Sequence, residues 1–259
     1  MNTFERRNRI VEMVNSTGSR LVNDISAELG VTEVTVRADL RLLEERGLLA
    51  RFHGGAARID GPGNDHGNVS AEISLSERYQ LAADPKNRIA VQAARLVKEG
   101  DTVILDSGST TKLLAEELAG MRNIAVITNN LPAASILAEN KDITLVVCGG
   151  TVRHKTASLH GSIAEYALRG VSANLMFVGA DGLDVENGIT TFNEGFAISA
   201  VMAAASRQVV VITDSSKFAR KGFNQVLALD EIDTIITDEE APAEALAALR
   251  KKGKTVIVA

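Results

Sequence analysis

Small and polar residues recur at five points between residues 106 and 217, each where an apolar run ends. The first is Asp106-Ser107-Gly108-Ser109-Thr110-Thr111, directly after TVIL. Hydroxyls and a glycine ahead of a helix start let backbone N–H groups close on an anion, and the helix N-terminus adds favourable partial charge. The loop lacks the Gly-Lys-Ser/Thr ending of a Walker sequence, so it reads as a phosphate cradle and not as a nucleoside triphosphate site. The second point is Thr128-Asn129-Asn130. The third is Gly149-Gly150-Thr151, with Arg153, His154 and Lys155 close behind. The fourth is Gly179-Ala180-Asp181-Gly182, with Thr191, Asn193 and Glu194 downstream. The fifth is Asp214-Ser215-Ser216-Lys217.

One such end would mean little; five in a row point to a shared polar crevice. Lys217 and the loop amides can hold phosphate, while Asp106, Asn129, Asp181 and Glu194 can accept hydrogen bonds from hydroxyls. That is equipment for a phosphorylated sugar or polyol. The candidate ligand set is Asp106, Gly108, Ser109, Thr110, Thr111, Asn129, Gly150, Arg153, Asp181, Glu194 and Lys217. His154 and His160 find no third ligand at a recognisable spacing, so loop or surface roles are expected for both, with no metal and no other cofactor. Cys148, the lone cysteine, follows an apolar run and reads as a small buried hydrophobe, not a nucleophile.

A second constellation lies near the N-terminus, in VNDISAELGVTEVTVRADLRLLEERGLLARFHGG. Val36, Leu40 and Leu43 recur at i, i+4 and i+7, which places them on one side of a helix opening at Thr32. Val34, Ala38 and Arg41 then lie opposite, with Thr35 and Arg37 on the flanks. Arginines can hold phosphates or guanine edges, and Thr or Val can meet a thymine methyl. Thr32 is a natural N-cap. A capped short helix over Val22–Leu29 and a turn at Gly30 precede this helix. A hairpin with Arg51, His53 and Arg58 follows it. The order is that of a winged helix-turn-helix, whose second helix enters a groove of double-stranded DNA. The candidate DNA-contacting set is Thr32, Val34, Thr35, Arg37, Ala38, Arg41, Arg51 and His53.

The elements that must position these residues follow from periodicity. Residues 56–66, ARIDGPGNDHG, are polar and Gly-rich and read as a linker. Helices are expected over 71–80 and 85–99. After them, continuous apolar runs at 102–106, 124–128, 143–148, 175–180, 208–213, 234–237 and 255–259 alternate with helical segments at 110–118, 131–139, 162–169, 196–206 and 243–251. Such alternation predicts a mainly parallel sheet covered on both faces. In these folds ligands bind beyond the carboxyl ends of the strands, where the polar clusters fall. The expected fold is therefore α/β, an N-terminal winged helix-turn-helix followed by a larger, mainly parallel α/β effector domain. Its parts are a DNA-binding domain over 1–58, a linker over 59–70 and a sensing domain over 71–259.

Bulk properties narrow the function classes. The chain has 259 residues, 45% hydrophobic and 24% charged, enough for one small and one medium domain. Aromatics make up 3%, too few for a base-stacking binder of single strands. The formal charge is −5. Residues 1–58 carry nine Arg, no Lys and eight acids, about +1, so the remainder carries about −6 and is no nucleic-acid platform. MNTFERRNR has no apolar h-region, no uncharged apolar run reaches membrane-spanning length, and one cysteine cannot form an internal disulfide. A cytoplasmic protein is expected.

Arg9, Ile10 and Val14, with the block VTVRADLRLLEERGLLARFHGGA, resemble the N-terminal signature of the DeoR-family bacterial transcriptional regulators. Ala38 stands where that family often has a basic residue. ILDSGSTT, VITNN, GGTVR, FVGADGLD, GITTFNE and ITDSSKF, in that order, resemble its C-terminal half, which is similar to the ribose-5-phosphate isomerase and glucosamine-6-phosphate deaminase-like fold. The resemblance covers nearly the whole chain. It implies a repressor of a sugar or polyol catabolic operon, bound to operator DNA as a dimer or tetramer and released by a phosphorylated sugar. The alternative is a sugar-phosphate isomerase or deaminase carrying a DNA-binding appendage. Asp181 matches one acid of the isomerases, but Gly179 stands where a second acid would be, which weighs against catalysis. A further alternative is an interaction module that uses the winged domain for protein contacts.

Overall fold

The computed structural model describes residues 6–7, 9–11, 13–14, 19–45, 49–52, 54–57, 78, 81–191, 198–218, 220, 222 and 224–259, with backbone alone at 45, 51, 52 and 57. The chain divides into two compact units, Met1–Gly67 and Asn68–Ala259.

In the first unit, residues 6–7, 9–11 and 13–14 are helical. Strand β1 (Ser19–Leu21), helices α1 (Val22–Leu29) and α2 (Glu33–Glu45), and strands β2 (Ala50–Phe52) and β3 (Gly55–Ala57) follow. Gly30 sits at φ +64 between the helices, a left-handed turn that a side chain would disfavour. The α1 N-cap is Leu21, which offers no side-chain acceptor, contrary to the expectation of a fully capped helix. The Val22 N–H instead donates to the Gly54 carbonyl at 2.8 Å, so the wing itself closes the helix start. The wing is a sheet of order β1-β3-β2, not a lone hairpin. Three residues are too few for β1 to show a strand period in sequence. Ile10, Val14, Ile25, Val36, Leu40, Leu43 and Leu49 form the core.

The second unit is built on a seven-stranded sheet of order β15-β14-β12-β9-β4-β5-β6. Its strands are β4 (Thr102–Leu105), β5 (Ile124–Thr128), β6 (Ile143–Val147), β9 (Ala173–Val178), β12 (Ser206–Ile212), β14 (Thr234–Thr237) and β15 (Thr255–Val258). Every pairing among them is parallel. Side chains alternate strictly between faces. Val103, Leu105, Leu175, Phe177, Val210 and Ile212 pack on one side with α3 (Ala83–Ala94), α4 (Ser109–Leu118) and α5 (Leu131–Leu137). Ile104, Met176, Val178, Val209 and Val211 pack on the other with α6 (Ser162–Tyr166), α7 (Ile198–Ala204) and α8 (Ala243–Lys251). Phe177 is fully buried at the sheet centre, and its burial contributes roughly 3 kcal/mol.

Two small antiparallel features were not legible in the sequence. One is the hairpin of β7 (Thr151–Arg153) and β8 (Ser158–His160). The other is a sheet of β10 (Gly182–Asp184), β11 (Gly188–Thr191) and β13 (Asn224–Leu227). Some helix ends also differ from the expected ones. The helix expected over 85–99 is α3, ending at Ala94, because residues 95–100 form a turn before β4. Of the helix expected over 71–80, only Arg78 is described, and it is helical.

Candidate functional site

On α2, Val36, Leu40 and Leu43 are buried, while Val34 is 74% and Arg37 57% exposed. Thr32, Ala38 and Arg41 are exposed and Thr35 is half-buried. The Thr35 N–H donates to Thr32 Oγ1 at 3.3 Å, the N-cap contact expected. The exposed ridge thus carries the residue types set out for DNA contact. Arg37 Nη2 is engaged with Glu33 at 2.7 Å, one turn back. Arg51 lies on β2 with its side chain outside the described residues, and His53 lies wholly outside them.

One buried charge holds this unit together and was missed in sequence. Asp39, on the core side of α2, accepts from Arg6 Nε at 2.6 Å and Arg7 Nε at 2.7 Å. Burial alone would raise its carboxyl; the two guanidinium hydrogen bonds outweigh that and hold it below the usual carboxylate range. Read from periodicity alone, Asp39 was just another polar residue.

The second unit places a cavity of about 260 Å3 at the carboxyl ends of β4, β9 and β12. Strand order reverses between β4 and β9, so this is the switch point where two crossovers diverge and leave a crevice. Asp106, Gly108, Ser109, Thr110, Asp181 and Lys217 line it. Thr111, Asn129, Gly150 and Arg153 do not, and each has a visible structural task. Thr111 Oγ1 donates to the Gly108 carbonyl at 3.0 Å and ties the loop to α4. Asn129 is fully buried, with Nδ2 on the Leu159 carbonyl at 3.3 Å. Gly150, at φ +110, passes His160 so closely that a Cβ would lie 2.4 Å from its carbonyl oxygen. Arg153 Nη1 donates to Thr156 Oγ1 at 3.3 Å. Glu194 lies outside the described residues.

Four lining residues were not picked out in the sequence, Arg78, Lys86, Thr156 and Ser199; Asp214, in the fifth polar end, and His160 line the cavity too, although neither was in the ligand set. His160 is a correction, because it is buried on β8, with Nε2 2.7 Å from Ser158 Oγ, and not a surface group. Lys86 lies on α3, where its i, i+3 relation to the buried Ile89 signalled an inward face.

Charge inside the cavity is arranged in opposed pairs. Arg78 Nη2 stands 2.9 Å from Asp181 Oδ1, and Asp181 Oδ2 accepts from Thr191 Oγ1 at 2.8 Å. Lys86 Nζ donates to the Arg78 and Leu81 carbonyls at 2.7 and 2.6 Å, and lies 4.0 Å from Asp214 Oδ2. Burial pushes the Lys86 ammonium down to about 8, against the pull of Asp214 and with help from Lys217 and Arg78. Burial lowers Lys217 as well. Asp106 is pushed up by burial, although Ser199 Oγ and the Ser107 amide both donate to it. Cys148 is buried and pushed up to about 11, which leaves the thiol protonated and unreactive. Among the described residues no cluster of three His, Cys, Asp or Glu could hold a metal ion. None of the described helices is long and apolar enough to cross a membrane.

The chemistry available is thus duplex contact on one unit, and recognition of a small anionic, hydroxylated ligand on the other. A family model described as a DeoR-like helix-turn-helix domain matches residues 6–61, and one described as a DeoR C terminal sensor domain matches residues 82–239. The HTH-type transcriptional regulator GlpR of Haloferax volcanii is 35% identical over 98% of this chain and 96% of its own length. A lactose phosphotransferase system repressor of Streptococcus mutans is 33% identical over 92% of this chain and 93% of its own. Ribose 5-phosphate isomerase A of Methanocaldococcus jannaschii has 22% identity over 52% of this chain and 54% of its own, with a TM-score of 0.40. The full-length relatives are named as regulators, which sets the isomerase and deaminase alternative aside. Both halves and nearly the whole length agree: the chain belongs to the DeoR family and is a DNA-binding transcriptional repressor.

Proposed function

We propose that this repressor controls a sugar or polyol catabolic operon and leaves its operator when a phosphorylated sugar or polyol enters the cavity of the second unit. Residues 1–58 grip the operator, 59–70 link, and 71–259 sense. The observation that carries this reading is the convergence of three cations, Arg78, Lys86 and Lys217, with three acids, Asp106, Asp181 and Asp214, around one cavity. The cations suit a phosphate, and the α4 start with Ser109 and Thr110 adds amides and hydroxyls. The acids suit hydroxyls. A relative whose name ties it to lactose supports the sugar class. Two copies bind together, since one helix-turn-helix reads one half-site.

Coupling between the sites requires that ligand and DNA favour different states of the protein. Titration of an operator duplex, selected by the protein from random sequence, against a panel of phosphorylated sugars, polyol phosphates and their unphosphorylated forms tests the reading. Release by one phosphorylated compound at a concentration where its free form is inert is the expected result. Equal response to both forms, or none to any, would sink it.

A further inference from the structure

We infer that the free edge at β6, together with β7 and α6 beside it, is the face on which two copies of this chain associate. The inference rests on the reading that the repressor works in pairs and adds the surface. Ten large hydrophobic residues are exposed among those described, and five of them lie within 146–166: Val146, Val147, Val152, Ile163 and Tyr166. Ile163 and Tyr166 are 69% and 66% exposed. Val146 and Val147 border the free edge on opposite faces of the sheet, Val146 on the face that carries α6. A Cβ on Gly149 would lie 3.4 Å from Ile163 Cγ2, so α6 rests beside the end of β6, and Val152 follows on the next strand. Apolar surface gathered about one sheet edge marks an interaction site more often than scattered exposed residues do.

The two edges of the sheet differ in a way that points to the same face. Among the described strands, β6 and β15 each have a single neighbour, β5 and β14. Lys251, Lys252 and Lys254 stand just before β15, and edge lysines are a standard guard against unwanted strand pairing. Beside β6 the charges stop at Asp142, and residues 143–152, ITLVVCGGTV, carry none. An unguarded strand edge offers unpaired N–H and C=O groups to another extended strand. A two-fold axis beside β6 would bring its own copy alongside, antiparallel, and bury the valines and Ile163 of both copies together.

Charge favours a second copy over other occupants. The chain carries 33 acids and a net charge of −5, yet residues 143–164 contain no Asp or Glu. This is where an acidic protein can approach itself without bringing acid against acid. Next to the patch, Glu165 and Arg169 are both exposed, so each copy presents an acid and a base to the other. A nucleic acid would call for a stripe of cations, and 143–164 holds only Arg153 and Lys155.

Sedimentation velocity of the full chain across a concentration series tests this. The parent should be an oligomer. Val147→Lys and Ile163→Asp, both exposed positions on different elements, should each raise its dissociation constant by about thirtyfold or more, the effect of losing an interface anchor. Val258→Lys, on the guarded edge, should match the parent. Thermal melts within a degree or so of the parent would show that the variants are folded; if either melts early, Val152→Lys takes its place. Patch variants that hold together as the parent does, or dissociation by Val258→Lys instead, would overturn the assigned face while leaving pairing intact. A parent that is monomeric both free and on its duplex would overturn the pairing reading with it.

Discussion

Each unit buries an aspartate beside its working surface, and the two are treated in opposite ways. Asp39 meets two guanidinium groups and stays ionised below the usual range. Asp106 meets hydroxyl and amide donors, and burial pushes its carboxyl up. Lys86 and Lys217, across the same cavity, are pushed down. In the DNA-reading unit charge is compensated internally, and a rigid scaffold presents an outward face. In the sensing unit burial opposes the charged forms, so a ligand that brings the complementary charge restores what burial removed. The first arrangement suits a surface that must not change; the second suits a cavity that responds.

Removing the internal compensation should produce the largest effect. Asp39→Asn leaves Arg6 and Arg7 without their acceptor. Breaking a buried ion pair from one side costs about 3–5 kcal/mol, and the partial exposure of both arginines (14% and 27%) argues for the low end. Chemical unfolding of the first unit's signal should read the loss; a change under about 0.5 kcal/mol, the scale of an ordinary surface substitution, would break the contrast drawn above. The pH dependence sharpens it. A depressed carboxyl gives stability that is full above its unfolded value near 3.9 and is lost as pH falls through the folded one. The raised Asp106 works the other way, since the folded state holds its proton longer and gains as pH falls. Acid should therefore loosen the first unit before the second, and Asp39→Asn should flatten the acid limb of the first.

Next in size is the cavity's answer to charge. Lys217→Ala removes a cation that lines the cavity and has no place on α2. A charge-assisted hydrogen bond is worth about 1.5–3 kcal/mol, so affinity for the phosphorylated effector should fall by roughly 10- to 150-fold in calorimetry. Operator affinity in the absence of effector should stay at the parental value. Release of DNA at the parental effector concentration would show that Lys217 does not meet the ligand.

The same contrast explains what the sequence disclosed. Val36, Leu40 and Leu43 share a face through local periodicity, so the exposure of Val34, Ala38 and Arg41 followed from spacing alone. The parallel sheet was legible because buried parallel strands are continuous apolar runs. The cavity was legible only at strand ends. Asp106, Asp181 and Lys217 follow such ends directly, whereas Arg78 and Lys86 reach the cavity from before the first strand, and Ser199 from a helix. No local pattern reports that convergence. Thr111, Asn129 and Gly150 carried the right residue types at the right ends. A hydroxyl turned to its own loop, a buried amide and a glycine pressed on a carbonyl have the same sequence appearance as ligand contacts. The hairpin and the small antiparallel sheet escaped because strands of three or four residues show no usable alternation.

On the outward face the expected effects are smaller and of a different kind. Arg37→Ala and Arg41→Ala should each weaken duplex binding across sequences and reduce the salt slope by about one unit, as loss of a phosphate contact does. Arg37 is held by Glu33 in the free protein. Glu33→Gln should therefore tighten binding by a few fold while leaving the slope unchanged, since an exposed pair is worth only about 0.2–1 kcal/mol. Fluorescence anisotropy over a salt series measures both. Unchanged binding in both arginine variants would remove α2 from the groove.

The effect most specific to the cavity is a proton taken up with the ligand. Lys86 has an ammonium near 8 in the ligand-free protein because burial, Lys217 and Arg78 outweigh Asp214. A phosphate placed beside it favours the charged form, so the ammonium rises on binding. Below pH 8 the group is already charged and affinity is full. Above pH 8 each complex must first recover a proton, so affinity should fall by about tenfold between pH 7 and pH 9, or somewhat more if Lys217 follows. A phosphate monoester is dianionic throughout that range, its second proton leaving near 6, so the ligand itself contributes no slope. Calorimetry at pH 9 in two buffers of different ionisation heat should register close to one proton taken up, and at pH 7 almost none. Lys86→Arg replaces the ammonium with a group that stays charged, and should level the profile between pH 7 and pH 9 even if it lowers affinity overall. Operator binding without effector, which draws on the internally compensated unit, should show no matching step near 8. An effector affinity that is flat from pH 7 to pH 9 in the parent would mean that the phosphate does not meet Lys86.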